Sequence, residues 1–164
     1  MAKAVLRIGG YTNTGKTTTT NFIAQELIQN GYTQIKSPFT GNDPNDHLYL
    51  LCGKDNSSAK INIVINTASD DSTTINNFDT FLQQNPCDII ITTIRSFNSN
   101  KFNERTALLN VLKKYIGKDC FQLEIPLAKI NKKTKFTKEK KWYKKSVEDL
   151  SKFILSSVPF NLKI

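Results

Sequence analysis

Two glycines with four residues between them, Gly10 and Gly15, lie where the hydrophobic pattern of this 164-residue chain changes. Residues 4–9 (AVLRIG) form a short apolar run typical of a buried strand, and from Lys16 onward apolar residues recur at helical spacing. Glycine tolerates the backbone angles of a sharp turn because it has no Cβ. A strand joined to a helix by such a loop begins a strand–helix–strand unit, so the sequence predicts an α/β fold.

The remainder of the chain alternates between the same two patterns. A polar loop containing Gly53 predicts a hairpin between two neighbouring strands, while Gly31 and Gly117 are placed to end helices. The strands are predicted at residues 4–9, 32–36, 47–52, 60–66, 88–94 and 120–125, and the helices at residues 16–30, 72–84, 103–116 and 139–157. Since no repeat or linker divides the chain, we expect residues 1–164 to form a single domain with a mostly parallel sheet and helices on both faces.

The loop itself, residues 10–17 (GYTNTGKT), fits the pattern GxxxxGK[ST] at every fixed position, between a predicted strand and a predicted helix. In this geometry successive backbone N–H groups and the positive end of the helix dipole converge on one anion. Lys16 is expected to neutralise the β- and γ-phosphates and to be the catalytic cation, and the Thr17 hydroxyl to ligate Mg²⁺. The predicted nucleotide-binding residues are Gly10, Asn13, Thr14, Gly15, Lys16, Thr17 and Thr18.

On these residues the chain resembles the P-loop NTPases, which implies a three-layer α/β/α fold, bound Mg²⁺ and ATP or GTP as ligand. Residues 60–71 (KINIVINTASDD) are similar to the second signature of that family, an apolar run ending in an acid. Asn66 stands where the family has that acid. An asparagine accepts a hydrogen bond from a metal-bound water but brings no charge, so the resemblance implies slow hydrolysis. Asp70 or Asp71 is a candidate substitute, and a turn or a helix cap is the alternative role for either.

Within the family, the segments NTAS and CDIIITT and the pair Asp43-Pro44 look like those of the partition and cell-division-site ATPases. The extra loop lysine of their dimerising members falls at Tyr11, so their sandwich dimer does not follow, and a protein partner or a homodimer stays open. A guanine-reading motif is incomplete, because residues 131–134 (NKKT) lack its final acid. Adenine is therefore expected rather than guanine.

The positive charge is concentrated at one end of the chain. Residues 1–128 hold 12 Lys and Arg against 11 Asp and Glu, whereas residues 129–164 hold 11 against 3. The lysine-rich segment from Lys129 to Lys145 also carries Phe136, Trp142 and Tyr143. Cations interleaved with rings suit nucleic acid or another polyanion, while a solvated surface is the alternative and helical spacing places Tyr143 in the core.

The sequence also limits where the protein works. No apolar run approaches the length of a membrane span and no secretory signal is visible, so a cytoplasmic protein is expected. Cys52, Cys87 and Cys120 are isolated from one another and from His47, which disfavours zinc and a disulfide scaffold. They are expected to be reduced and mostly buried.

Three functions follow from these observations. The leading hypothesis is an ATP-binding P-loop protein that is a slow NTP hydrolase or a nucleotide-dependent switch. The first alternative is a small-molecule or nucleotide kinase, in which Arg95, Lys101 and Arg105 form a phosphate clamp. The second alternative is a catalytically weak DNA-binding or adaptor module that acts through its basic tail.

Overall fold

Strands and helices alternate along the chain in a computed structural model, which describes residues 1–40, 46–97, 102–129 and 137–164. Within those residues it contains six strands and four helices. The strands are β1 (Ala2–Gly10), β2 (Thr33–Thr40), β3 (His47–Lys54), β4 (Lys60–Asn66), β5 (Ile89–Arg95) and β6 (Ile116–Pro126). The helices are α1 (Lys16–Gln29), α2 (Ser72–Gln84), α3 (Phe102–Lys113) and α4 (Thr137–Ser156).

The six strands form one mixed sheet in the order β2-β3-β4-β5-β1-β6. The strands β4, β5, β1 and β6 run parallel to one another, and β3 is antiparallel to β4 and to β2. The α/β class and the mostly parallel sheet are therefore confirmed, as is the hairpin of β3 and β4. A short turn can join only antiparallel neighbours, which explains why the parallel part begins at β4.

Side chains alternate between the two faces of the sheet, and each face is covered by helices. On β1, Leu6 and Ile8 pack in one core cluster with residues of α1 and α4, whereas Val5 packs in a second cluster with residues of α2 and α3. Leu27 of α1 and Phe78 of α2 are both fully buried. Burial of a side chain of this size stabilises the fold by roughly 1.5–3 kcal/mol. The two clusters hold the central strands, and therefore the ends of those strands, in fixed positions.

The third helix ends earlier than the sequence predicts, and Gly117 does not end it. α3 stops at Lys113, and β6 already begins at Ile116. The Tyr115 hydroxyl donates to the Asp79 carboxylate at 2.6 Å, and the Ala2 N–H donates to the Tyr115 carbonyl at 2.8 Å. These bonds draw the chain into the sheet before Gly117 is reached. Gly31, in contrast, follows α1 with a φ of 93°, as expected of a glycine that ends a helix.

Two other predictions concern the whole chain. Across the described ranges, none of the helices combines the length and the apolar composition that crossing a bilayer requires. Cys52, Cys87 and Cys120 are free thiols, but all three are half-buried rather than buried. Burial raises the pKa of the Cys87 thiol to about 12, so this thiol remains protonated at neutral pH.

Candidate functional site

The glycine loop lies at the carboxyl edge of the parallel strands. Gly10 is paired in register with Arg95 of β5, and Gly9 with Pro126 of β6. The Leu127 N–H donates to the Gly9 carbonyl at 2.7 Å, which continues the pairing beyond the strand. The loop therefore leaves the sheet between two neighbours, at the edge where open α/β sheets bind ligands.

Each glycine of the motif has its own structural reason. A Cβ on Gly10 would lie 2.4 Å from the Oγ1 of Thr14, so a larger residue there would push the loop apart. Gly15 has a φ of 93°, a left-handed conformation that side chains disfavour. Asn13 is also left-handed, with a φ of 61°. The loop is closed across its base by the Thr14 hydroxyl, which donates to the Tyr11 carbonyl at 2.9 Å.

The first turn of α1 has no side-chain cap. Its N-cap residue is Gly15, and no acidic residue occupies the first turn. The intrahelical hydrogen bonds begin with the Thr19 N–H, which donates to the Gly15 carbonyl at 2.8 Å. The N–H groups of Lys16, Thr17 and Thr18 precede that bond, so the helix itself does not use them. An open helix N-terminus of this kind carries about half a positive charge and attracts anions.

Lys16 is a desolvated cation inside this loop. Its side chain is buried, and its Nζ donates to the Tyr11 carbonyl at 2.9 Å. Burial lowers the pKa of Lys16, the Asp70 carboxylate raises it, and the Arg95 guanidinium lowers it further. The ammonium group is therefore surrounded by protein and not by water. Because water screens its charge less, it would interact more strongly with a bound anion.

The end of β4 contacts the loop through its backbone. The Thr17 hydroxyl donates to the Thr67 carbonyl at 3.1 Å, which places the predicted magnesium ligand beside the residue that follows Asn66. Asn66 is buried, its amide nitrogen donates to the Thr92 hydroxyl at 3.1 Å, and its Oδ1 accepts from the Ala68 N–H at 3.2 Å. Both ends of this amide bond to protein groups, so Asn66 ties β4 to β5 and shapes the following turn.

Asp70 and Asp71 are neighbours in the sequence but have different roles. The Asp71 carboxylate accepts from the Thr74 N–H at 2.8 Å and forms a capping box at the start of α2. The Asp70 carboxylate accepts from Arg95 at 2.9 Å and faces the glycine loop. The cap alternative thus holds for Asp71, and Asp70 is the acid that lies at the site.

A polar cavity of about 370 Å³ opens between the loop and the end of β4. Its lining comprises Thr12, Asn13, Gly15, Lys16, Thr17, Thr18, Asp46 and Asp70. In the described part of the chain, no three His, Cys, Asp or Glu residues cluster as a metal cage. The Thr17 hydroxyl and two carboxylates at a single cavity suit Mg²⁺, which commonly takes one or two carboxylates and completes its shell with water and substrate phosphates. The donor set therefore fits Mg²⁺ held jointly by Thr17, an acid and a phosphate ligand.

The two arginines of the predicted phosphate clamp lie in different environments. Arg95 is buried and donates to the Thr12 hydroxyl at 2.7 Å as well as to Asp70, so it fastens the loop to the β4–α2 connection. Arg105 is buried against Glu124, to which it donates two hydrogen bonds of 3.0 and 2.7 Å. The structure brings Arg95 to the loop and commits Arg105 to Glu124. Lys101 lies outside the described residues.

A second cavity, of about 310 Å³, lies on the other side of the loop, and sequence reasoning missed it. Leu127, Ala128 and one face of α4 form the wall that is opposite the loop. The α4 residues in this wall are Lys140, Tyr143, Lys144, Val147 and Glu148. Their three- and four-residue spacing is that of one helix face, but the sequence alone does not indicate that this face meets a loop more than 120 positions away.

The lysine-rich segment is described only in part, because residues 130–136 lie outside the described residues, as do Asp43 and Pro44. Lys141 and Lys145 are exposed on α4, and Trp142 between them is 70% exposed. Tyr143 is half-buried and packs against the core, and its hydroxyl accepts from the Ala128 N–H at 2.7 Å, so its predicted place in the core is met only in part. The single aromatic residue turned outward in this part of α4 is thus Trp142.

Comparison with known proteins gives no relative. No protein-family model matches the chain, and no curated protein and no solved structure shows significant similarity to it. The functional argument therefore depends on the geometry of the site.

Proposed function

We propose that this chain is a P-loop protein that binds Mg²⁺ and a nucleoside triphosphate, with ATP as the expected nucleotide, and that it is a slow NTP hydrolase or a nucleotide-dependent switch. The observation that carries the proposal is the convergence of the uncapped N-terminus of α1, the buried Lys16 and the Thr17 hydroxyl on one polar cavity. With helices on both faces of its sheet, the chain would have the three-layer fold of the P-loop NTPases.

Different residues of the cavity would bind the phosphates and the magnesium ion. The N–H groups at the start of α1 would hold the phosphate oxygens, and Lys16 would neutralise the charge of the β- and γ-phosphates. Thr17 with Asp70 or Asp46 would hold Mg²⁺. When bound, the ion supplies charge that stabilises the leaving phosphate oxygens. Since Lys16 is already desolvated, little of its interaction with phosphate is lost to water.

Slow hydrolysis is expected because the two residues that could position the attacking water, Asn66 and Asp70, are an uncharged amide and a carboxylate in an ion pair. Asn66 carries no charge, and both ends of its amide bond to Thr92 and Ala68. Asp70 is charged, but its carboxylate pairs with Arg95. The guanidinium thus occupies the Oδ1 atom, which a carboxylate that positions the attacking water would otherwise present. We therefore expect measurable nucleotide affinity together with a low rate of hydrolysis.

The test is binding of Mg-ATP, followed by calorimetry, together with phosphate release in the absence of any acceptor. Lys16→Ala should weaken ATP binding by about 100-fold, as expected for the loss of a charged hydrogen-bonding partner to phosphate. Lys163→Ala, which removes an exposed lysine far from the loop, is the matched control. ATP affinity that survives Lys16→Ala would refute the proposal, and turnover that needs a hydroxyl-bearing acceptor would favour a kinase.

A second candidate function, binding of a polyanion such as single-stranded nucleic acid through α4, is favoured by the exposed Trp142 between Lys141 and Lys145. Lysines on phosphates and a ring on a base are the elements of such sites. Binding of a labelled single strand should weaken steeply with added salt and lose affinity in Trp142→Ala. The Lys16→Ala variant should bind it normally, which separates this function from nucleotide binding.

A further inference from the structure

The cavity beside α4 and the phosphate-side cavity adjoin the same loop and share part of their lining. Asn13, Gly15 and Thr18 belong to both walls. A molecule whose anionic part occupies the N-terminus of α1 can therefore extend past the loop into the space beneath α4. Its volume of about 310 Å³ is at the lower end of the range of roughly 300–1,000 Å³ for small-molecule sites. The space suits one compact group attached to the phosphates.

Part of the wall of this cavity is apolar. Leu127 and Val147 are both buried, and their side chains contribute aliphatic surface. The ring of Tyr143 is held in place because its hydroxyl accepts from the Ala128 N–H. Apolar walls that are held in place and combined with convergent polar groups are typical of ligand sites in which the polar groups determine orientation.

Among the polar residues that line the cavity, a lysine and a glutamate on α4 are one helical turn apart. The other polar residues of the lining are Lys140 on the same helix and Asn13, Thr14, Thr18 and Thr19 on the side of the loop. Lys144 and Glu148 line the cavity together, and their Nζ and Oε1 atoms are 3.6 Å apart. The Glu148 side chain is 22% exposed. The cavity thus presents a hydrogen-bond acceptor directly beside a donor. Adenine has the complementary pattern, an exocyclic amine that donates and an adjacent ring nitrogen that accepts.

We propose that the α4 cavity binds the adenine base of the nucleotide, with Glu148 accepting from the exocyclic amine and Lys144 donating to the neighbouring ring nitrogen. This inference rests on the proposed function, since it assumes that the loop holds the phosphates. In this proposal α4 selects the base through the ion pair of Lys144 and Glu148, and the glycine loop binds only the phosphates.

The same helix provides a matched control for the test. Lys145 and Asp149 form an ion pair with the same four-residue spacing, at 3.3 Å, but neither residue lines the cavity. We would compare Glu148→Ala with Asp149→Ala by calorimetry. The three ligands are ATP, purine riboside triphosphate (which lacks only the amine) and inorganic tripolyphosphate, all with Mg²⁺.

The unmodified protein and Asp149→Ala should bind ATP about tenfold more tightly than the analogue without the amine, the discrimination expected for a well-placed hydrogen bond. In Glu148→Ala this ratio should fall to about one. Tripolyphosphate should bind all three proteins equally. A ratio of one in the unmodified protein, or a ratio that Glu148→Ala leaves unchanged, would overturn the assignment of the base.

Filling the cavity is a second test that does not depend on Glu148. Ala128→Phe should weaken ATP binding at least tenfold and leave tripolyphosphate binding unchanged, because only the base would be displaced. If Ala128→Phe binds ATP as tightly as the unmodified protein does, the inference is overturned. The proposed function would still stand in that case, provided that tripolyphosphate binding depends on Lys16. If tripolyphosphate and ATP both fail to bind the unmodified protein, the proposed function fails, and the inference fails with it.

Discussion

The helices α1 and α2 begin at the same edge of the sheet, yet their N-termini are built in opposite ways. Each follows a strand that runs parallel to β5. At α2 the Asp71 carboxylate accepts from the Thr74 N–H and the Thr74 hydroxyl accepts from the Asp71 N–H, which together form a capping box. At α1 the equivalent position is Gly15, and no side chain caps the turn.

The difference shows where the molecule gives up stability. A cap of the kind found at α2 stabilises a helix by about 1 kcal/mol, and α1 forgoes that stabilisation while also burying Lys16 beside its open end. A helix N-terminus that binds no ligand is usually capped by a side chain. Under the function proposed above, a bound phosphate would take the place of the cap, because it would supply both the negative charge and the hydrogen-bond acceptors.

The largest expected effect comes from making α1 resemble α2. Thr18→Glu places an acid in the first turn of α1, where it would interact with the free N–H groups and stabilise the helix in the absence of ligand. Like charges 4 Å apart repel by about 4 kcal/mol at an effective dielectric constant of 20, so after screening we expect ATP affinity to fall about 100-fold. Calorimetry with Thr18→Gln as the neutral control measures this. An unchanged affinity would contradict the anion site at α1.

The two adjacent acids provide the next comparison. Asp70→Asn removes the carboxylate that faces the loop and should reduce phosphate release about tenfold, a typical size for losing an auxiliary charged group at a reacting centre. Asp71→Asn keeps a side chain that can cap α2 and should leave the rate within twofold. Rates measured at saturating Mg-ATP decide the matter, and equal losses in both variants would show that Asp70 has no special role.

A smaller effect is expected at the capped helix. Asp71→Ala removes the box at α2 and should lower the free energy of unfolding by about 1 kcal/mol, measured by denaturant titration, with no change in ATP affinity. Asp71→Ser retains a capping oxygen and should recover most of the stability. A Lys16-like loss of ATP binding in Asp71→Ala would show that the two helix ends are not independent.

The smallest effect concerns the pH dependence of stability. Because burial lowers the pKa of Lys16 below its ordinary 10.5, the unfolded chain binds this proton more tightly than the folded protein does. Its cost to folding is fully present below the folded pKa and disappears as the pH rises through 10.5. Without nucleotide, Lys16→Met should therefore be more stable than the unmodified protein at neutral pH, and the difference should shrink towards pH 10.5. A difference that stays constant with pH would contradict the desolvated cation.

Much of the fold was predictable because its signals are local. The change from an apolar run to helical spacing at Gly10 and Gly15 located β1, the loop and α1, and the polar turn at Gly53 identified the hairpin. Gly117 misled the prediction because a glycine was assumed to stop the helix, whereas Tyr115 had already turned the chain through its contact with Asp79.

The site was predictable only where its residues are contiguous. The sequence could not separate Asp70 from Asp71, because the choice depends on Arg95 reaching across from β5. Glu124 gave no sign that it would bind Arg105. The α4 cavity joins residues from both ends of the chain, so no local pattern could show it. These side-chain partners are determined by contacts between residues that are far apart in the sequence, and the periodicity of a single sequence gives no information about such contacts.

The central position of β1 has a consequence for how the protein is made. The ribosome synthesises Ala2–Gly10 early, but its hydrogen-bonding neighbours are Ile89–Arg95 and Ile116–Pro126, which emerge much later. Such long-range pairings delay folding, because the intervening chain must be ordered before they can form. A nascent chain that stops short of β6 would therefore display the glycine loop on a strand that lacks one of its two neighbours.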